Sequence, residues 1–241
     1  MMEKSKKTDL QSPNDPIEAC AHFSRLIGAD PNLVLHGGGN SSVKAQRSDI
    51  TGGEFEAIYV KGSGWDMGNL EVPGLTPLDL NRLRQLLRLK ELSDMDMMRE
   101  LSAAKFDPSS PNPSVETLLH AFIPHRAVQH SHADVIVTLT NLAGMSSPDS
   151  VVREVFGDSV IVIPYVMPGF DLAQTVRDNW DSQLNEKTQG MVLLNHGLFT
   201  FGDDSLTAYK KHMELIEKAK KWLEKEAPCE TSETNSLSTE F

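Results

Sequence analysis

His130 and His132 are separated by one residue in AVQHSHADV, fourteen residues beyond Glu116, and His196 follows the apolar run of MVLLNHG. Alternate side chains of an extended segment point the same way, about 6.5 Å apart along the chain. The two imidazoles of an HxH pair can therefore reach one cation. Zinc takes imidazole nitrogen at roughly 2.0–2.1 Å, and three protein ligands leave a position open for water or substrate. His196 closes a candidate strand, the place where α/β proteins put working side chains. Each part also has a plainer reading. An isolated HxH says little, Asn195 and Gly197 suit a tight turn, and an acidic residue in the first turn of a helix stabilises its dipole by about 0.3–1 kcal/mol. Taken together, the residues raise a candidate metal site of His130, His132 and His196 with Glu116 upstream, and at this point the plainer readings stay open beside it. His120 and His125 lack the HxH spacing and are expected to be structural or surface residues.

Three segments have the chemistry of an anion cradle. HGGGNSS (36–42) sets three glycines before Asn40, and KGSGWDM (61–67) sets Gly62, Ser63 and Gly64 after a strand. Such backbones turn sharply and present N–H groups. Ser114, in NPSVE (112–116), is expected at a helix N-terminus, where free amides and the dipole favour an anion. Lys44 and Lys61 are near these loops in sequence. Neither loop matches GxGxxG, and no GxxxxGK[ST] occurs, so neither a dinucleotide nor a P-loop site is indicated. Each loop alone reads as a tight turn.

The elements that must position these residues belong to an ordinary globular chain: 241 residues, 39% hydrophobic and 24% charged. A net charge of −11 disfavours nucleic acid and anionic membranes as partners, which draw on excess positive charge. It also requires any anionic substrate to be bound by local amides and cations. No run approaches the ~20 apolar residues of a membrane span, and MMEKSKKTDLQSPND lacks the apolar stretch of a signal peptide. Cys20 and Cys229 form no CxxC pair, so a cytoplasmic setting is expected.

Residues 1–14 and 228–241 are polar and read as disordered tails around one domain, 15–227. PIEACAHFSRLIGA is a helix with Asp15 as N-cap and Pro16 at its first position. FEAIYVKG, SVIVIPYV and MVLLN read as strands. TPLDLNRLRQLLRLKEL, SDMDMMRELSAAKF, PSVETLLHAFI and DLAQTVRDNWDSQL read as helices, as does DSLTAYKKHMELIEKAKKWLEKE, capped by Asp203 or Asp204. DVIVTLT (134–140) is β-branched, which argues strand, while its length and context allow a helix. Strands and helices interleave throughout, so the class is α/β or α+β.

In order, GGGNSS, KGSGW, PSVE, HSH and NHG resemble the class II aldolase/adducin family of zinc-dependent sugar-phosphate aldolases. LHGGGNSSVK, YVKGSGWDM, DPSSPNPSVETLLHAFIPH, VFGDSVIVIPYVMPGF and LLNHGLFTFGD are similar to the aldolase half of bifunctional rhamnulose-1-phosphate aldolase/dehydrogenase proteins; their dehydrogenase half is not expected here. The resemblance covers about residues 30–215. It implies a three-layer α/β/α fold around a mostly antiparallel sheet, a homotetramer, and a helix over 134–142. It implies zinc on His130, His132 and His196, with Glu116 as acid/base. Gly39, Asn40, Ser63, Gly64 and Ser114 match positions that hold the substrate phosphate. The implied reaction is reversible cleavage of a rhamnulose- or fuculose-type ketose 1-phosphate, through an enediolate, to dihydroxyacetone phosphate and a small aldehyde. The same scaffold also serves dehydratases, decarboxylases, 4-epimerases and non-catalytic adducin-like domains. Val115 replaces a serine found in many relatives, and Tyr209 is a candidate for the proton donor that several relatives supply to the aldehyde from the neighbouring subunit.

Overall fold

Strand side chains alternate between two apolar layers, and that alternation explains the short hydrophobic runs. In β5 (Val160–Ile163), Ile161 and Ile163 join one core cluster while Val160 and Val162 join the other. In β7 (Gly197–Gly202), Phe199 and Phe201 face the first cluster and Leu198 the second. A sheet buried on both faces needs apolar residues at consecutive positions, so VIVI is what such a strand requires.

The computed structural model describes residues 10–142 and 147–226. The remaining strands are β1 (Asn40–Ser48), β2 (Glu54–Lys61), β3 (Leu75–Asp79), β4 (Ala127–Ser131) and β6 (Gly190–Leu193). They form a seven-stranded sheet in the order β3-β2-β1-β4-β7-β6-β5. Only β5 and β6 run parallel; the other neighbours are antiparallel. Helices α2 (Leu80–Leu86), α3 (Asp94–Ala103), α4 (Thr117–Phe122) and α7 (Phe170–Gln183) pack into the first cluster. Helices α1 (Pro16–Gly28), α5 (Asp134–Thr140), α6 (Pro148–Phe156) and α8 (Ser205–Glu226) pack on the opposite face. The result is the expected α/β/α layering around a mostly antiparallel sheet.

Local chemistry sets several boundaries. Asp15 accepts from the N–H groups of Ile17 (2.6 Å) and Glu18 (3.1 Å), with Pro16 following it, as predicted. Asp204, of the two candidates, caps α8 by accepting from Thr207 N–H at 2.7 Å. Segment 134–140 is helical, as the resemblance implies and β-propensity does not.

Other expectations are corrected. Segment 76–92 is not one helix: residues to Asp79 form edge strand β3, and Asp79 then caps α2 through Asn81 and Arg82 N–H. An edge strand tolerates Pro77, whose missing N–H costs no ladder bond. Segment 113–123 becomes helical only at Thr117, because Pro113 bridges to Gly62 and Ser63 N–H donates to Asn112 O at 2.7 Å. Of the two expected tails, residues 1–9 and 228–241 lie outside the described residues.

The second face also buries polar groups. His212 of α8 is fully buried, its Nε2 lies 2.7 Å from Ser131 Oγ, and its Nδ1 lies 3.0 Å from Thr200 Oγ1. Burial pushes this imidazole down to about 3 from its ordinary 6.5. Between those values the unfolded chain binds the proton and the folded one does not, so stability must fall as pH falls through that window. His212→Gln should therefore show its full deficit above pH 6.5, with the gap to wild type narrowing under acid. Urea midpoints measured at successive pH values check this; a gap independent of pH contradicts it.

Candidate active site

β4 carries His130 and ends one residue before His132, while the turn from β6 to β7 carries His196. Asn195 takes a left-handed conformation (φ 58) in that turn, one that asparagine tolerates better than most side chains. Its N–H donates to Thr140 Oγ1 at 3.0 Å, tying the turn to α5. The three imidazoles converge. Ring centroids are 4.8 Å apart for His130 and His132, and 5.1 Å for His196 with either. One nitrogen from each lies within 4.8 Å of the others.

The fit to a cation is testable on the donor set. His130 is fully buried, stacks on Phe199 at 3.8 Å, and donates through Nδ1 to Leu198 O at 3.0 Å. That bond leaves the Nε2 lone pair free, and this buried nitrogen has no hydrogen-bond partner. Burial holds His130 well below the usual imidazole range and lowers His132, and it brings His196 to about 4. All three rings are therefore neutral near pH 7, the form that ligates metal. Among the described residues this metal-ligand group contains three side chains and no fourth. Three ligands fit an open catalytic site better than a closed structural one.

Glu116 is buried immediately before α4 and faces this cluster. Its Oε2 lies 3.6 Å from His130 Nε2 and its Oε1 lies 3.4 Å from His196 Nε2. Asn40 donates Nδ2–H to Oε2 at 2.6 Å, whereas Oε1 is buried with no hydrogen-bond partner. Burial pushes the carboxyl up to about 7, opposed by the Asn40 hydrogen bond and the Lys61 charge.

A cavity of about 220 Å³ opens beside these groups, and Gly39, Asn40, Ser63, Gly64, Ser114, Glu116, His132 and His196 all line it. The sequence expectation is thus brought together except for His130, which sits behind the wall. Gly39 has φ +60, and a Cβ there would meet His130 O at 2.8 Å; Gly64 has φ +83 with open space around it. Lys61 Nζ donates to Gly37 O at 3.2 Å and Trp65 O at 2.6 Å, clipping the two glycine loops together. Ser63 has spent its N–H on Asn112, so its hydroxyl remains for a ligand. Ser114 Oγ accepts from Asn40 Nδ2 (3.1 Å) and Glu116 N–H (3.3 Å), leaving its own proton to donate.

Several readings change. Lys44 is not at the cradle: its Nζ donates to Ile123 O and His125 O beside a different cavity. Tyr209, a candidate donor to a neighbouring subunit's site, packs against Phe23 (ring centroids 5.3 Å apart) in the opposite layer of its own chain. His125 stacks on Phe201, as a structural residue would. His120, expected to be structural or surface, is fully buried and bonded to Asn40 within the site. Its position one helical turn after Glu116 was the available signal.

Comparison with known proteins adds an independent line. Residues 18–223 match the family model for the Class II Aldolase and Adducin N-terminal domain. The chain is 32% identical over 207 residues to the "Uncharacterized oxidoreductase YuxG" of Bacillus subtilis (strain 168), covering 86% of this chain but 29% of that protein. The chain therefore spans under a third of that relative's length. The N-terminal class II aldolase domain of a conserved Thermoplasma acidophilum protein superposes with a TM-score of 0.79 at 36% identity, covering 92% of this chain and 99% of that one. L-fuculose-1-phosphate aldolase from Thermus thermophilus shares the fold, with a TM-score of 0.53 at 19% identity over 85% and 93% of the two chains. By sequence and fold together, this chain belongs to the class II aldolase and adducin family.

Proposed function

We propose that this protein is a metal-dependent aldehyde-lyase that reversibly cleaves a ketose 1-phosphate to dihydroxyacetone phosphate and a small aldehyde. The observation that carries the reading is Glu116: a buried carboxyl, pushed up to about 7, faces three neutral imidazoles at the floor of a cavity walled by two glycine loops. Zinc or another divalent cation on His130, His132 and His196 would supply Lewis acidity to the sugar's carbonyl and adjacent hydroxyl.

The chain's own groups do the rest. Ser63 and Ser114 present hydroxyl protons, and the Gly39 and Gly64 turns present backbone, to a phosphate at the cavity mouth. Holding the phosphate there places the C3–C4 bond over Glu116 and gives positioning energy from a part of the substrate that does not react. Glu116 then delivers a proton to C3 of the three-carbon product, or removes it in the aldol direction. A carboxyl poised near neutrality can do both. Asn40 keeps one oxygen of that carboxylate fixed, so the unpartnered Oε1 is the oxygen free to transfer the proton.

Three measurements test the metal and its base. His132→Ala should lose both the bound divalent metal and retro-aldol activity on ketose 1-phosphates; survival of both would remove the imidazoles from that role. Glu116→Gln should keep the metal but lose exchange of the dihydroxyacetone phosphate C3 proton with solvent. Zinc titration by calorimetry in buffers of different ionisation enthalpy should show proton release on binding at pH 7, because a carboxyl whose affinity for the proton is raised by burial loses it beside a cation. That release should vanish in Glu116→Gln. For the phosphate, Gly64→Ala places a methyl in open space but strains a φ of +83. A strain on the order of 1 kcal/mol predicts a KM raised about fivefold. An unphosphorylated ketose should be unaffected.

A further inference from the structure

The hydrogen bond that fixes Glu116 does not end at Asn40. Asn40 Oδ1 meets Nε2 of His120, and Nδ1 of His120 lies 2.8 Å from Ser42 Oγ. Ser42, His120 and Asn40 are all buried. Asn40 and Ser42 are two residues apart on β1 and so share a face, while α4 carries His120 one turn after Glu116.

The donors and acceptors in this line settle one another. A carboxamide oxygen only accepts, so Nε2 of His120 must donate to it. Burial, with the Lys44 charge adding to it, pushes His120 down to about 3, so the ring has one proton and Nδ1 must accept from the Ser42 hydroxyl. Asn40 then has both Nδ2 protons left, and they go to Ser114 Oγ and Glu116 Oε2. With the amide turned over, its oxygen would face the carboxylate, two acceptors against each other. That arrangement would need the other tautomer of His120, donating to Ser42 and accepting from Asn40.

We propose that His120 is a positioning residue for Glu116: its Nε2–H tautomer fixes the orientation of the Asn40 amide and thereby aims an N–H at the Glu116 carboxylate. Ser42, whose hydroxyl can donate, satisfies the bare Nδ1 of that tautomer. The line makes the direction of the carboxylate a property of α4 and β1 together, and it engages every polar atom of the Asn40 side chain. A phosphate at Asn40 would then have only the backbone to bind.

The kinetic half of the test rests on the aldolase reading; the spectroscopic half does not. In the full chain, ¹⁵N NMR of the histidine side chains at neutral pH should show His120 with a bare Nδ1 and a protonated Nε2. A protonated Nδ1 overturns the proposal. His120→Phe, which keeps a ring of similar size, should lower kcat about 10- to 100-fold, the scale of a lost hydrogen bond to a charged group, with KM changed by less than about threefold. His120→Gln can still present an N–H to Asn40 and should recover most of that loss. Equal losses in both variants, or a folded His120→Phe with undiminished kcat, would show a packing residue only. Should His120→Phe not fold, the wild-type spectrum decides alone: a bare Nδ1 with a protonated Nε2 supports the proposal, and a protonated Nδ1 overturns it. If wild type has no retro-aldol activity, the aldolase reading fails while the tautomer still decides this one.

Discussion

Burial of one carboxyl against three imidazoles is the constraint on which the site depends. Loss of water favours the neutral form of every ionisable group, so it raises Glu116 and lowers His130, His132 and His196 together. The acid and the bases are thereby drawn toward the same neutral condition by one cause acting with opposite sign. Such a cluster is poorly matched to an added anion and well matched to a divalent cation, which needs bare imidazole nitrogen and gains from a carboxylate beside it. The unpartnered Nε2 of His130 and Oε1 of Glu116 are buried polar atoms of the kind that need a reason to persist.

The fold meets that constraint by drawing its groups from distant segments. Asn40 opens β1, His130 lies opposite it on β4, and β7 pairs with β4 on the other side. His196 enters from the turn that starts β7, and Glu116 from the turn that starts α4. Each side chain is fixed by an element whose register is set elsewhere. Lys61 does the same for the cradle. Buried at 2% exposure, it spends its ammonium protons on loop carbonyls, so its role is to hold two loops in a fixed relation.

Much of this is legible in the residues. The five motifs in order point to the family, and the HxH spacing works because it lies at the end of a strand. The capping pairs at Asp15 and Asp204 are local and so readable. What escapes the sequence depends on tertiary pairing. β1 begins at Asn40, inside a glycine-rich segment that reads as loop, and while β2 follows it directly, its other partner, β4, is distant in the chain. β3 is hidden in a helical pattern because Leu75, Leu78, Leu80 and Leu83 suit either period. Lys44 is near the cradle in sequence only: it shares the Asn40 face of β1 but lies farther along the strand, where its ammonium meets Ile123 O and His125 O. His120 looks incidental because its partners, Asn40 and Ser42, lie about eighty positions earlier.

β4 serves two unlike surroundings with consecutive residues. Val128 and His130 look toward the α4 side, while Ser131, and by strand alternation Gln129, look toward the α8 side. Since side chains on a strand repeat every second position, a slip of one residue would exchange these sets completely. An amide and a hydroxyl would then confront the carboxyl, and an imidazole would lie where a serine now serves His212. No partially competent intermediate registration exists between the two arrangements. Misassembled copies of this strand should therefore be inert rather than weakly active, and the quality of a preparation can be read as a fraction of working molecules rather than as a graded turnover.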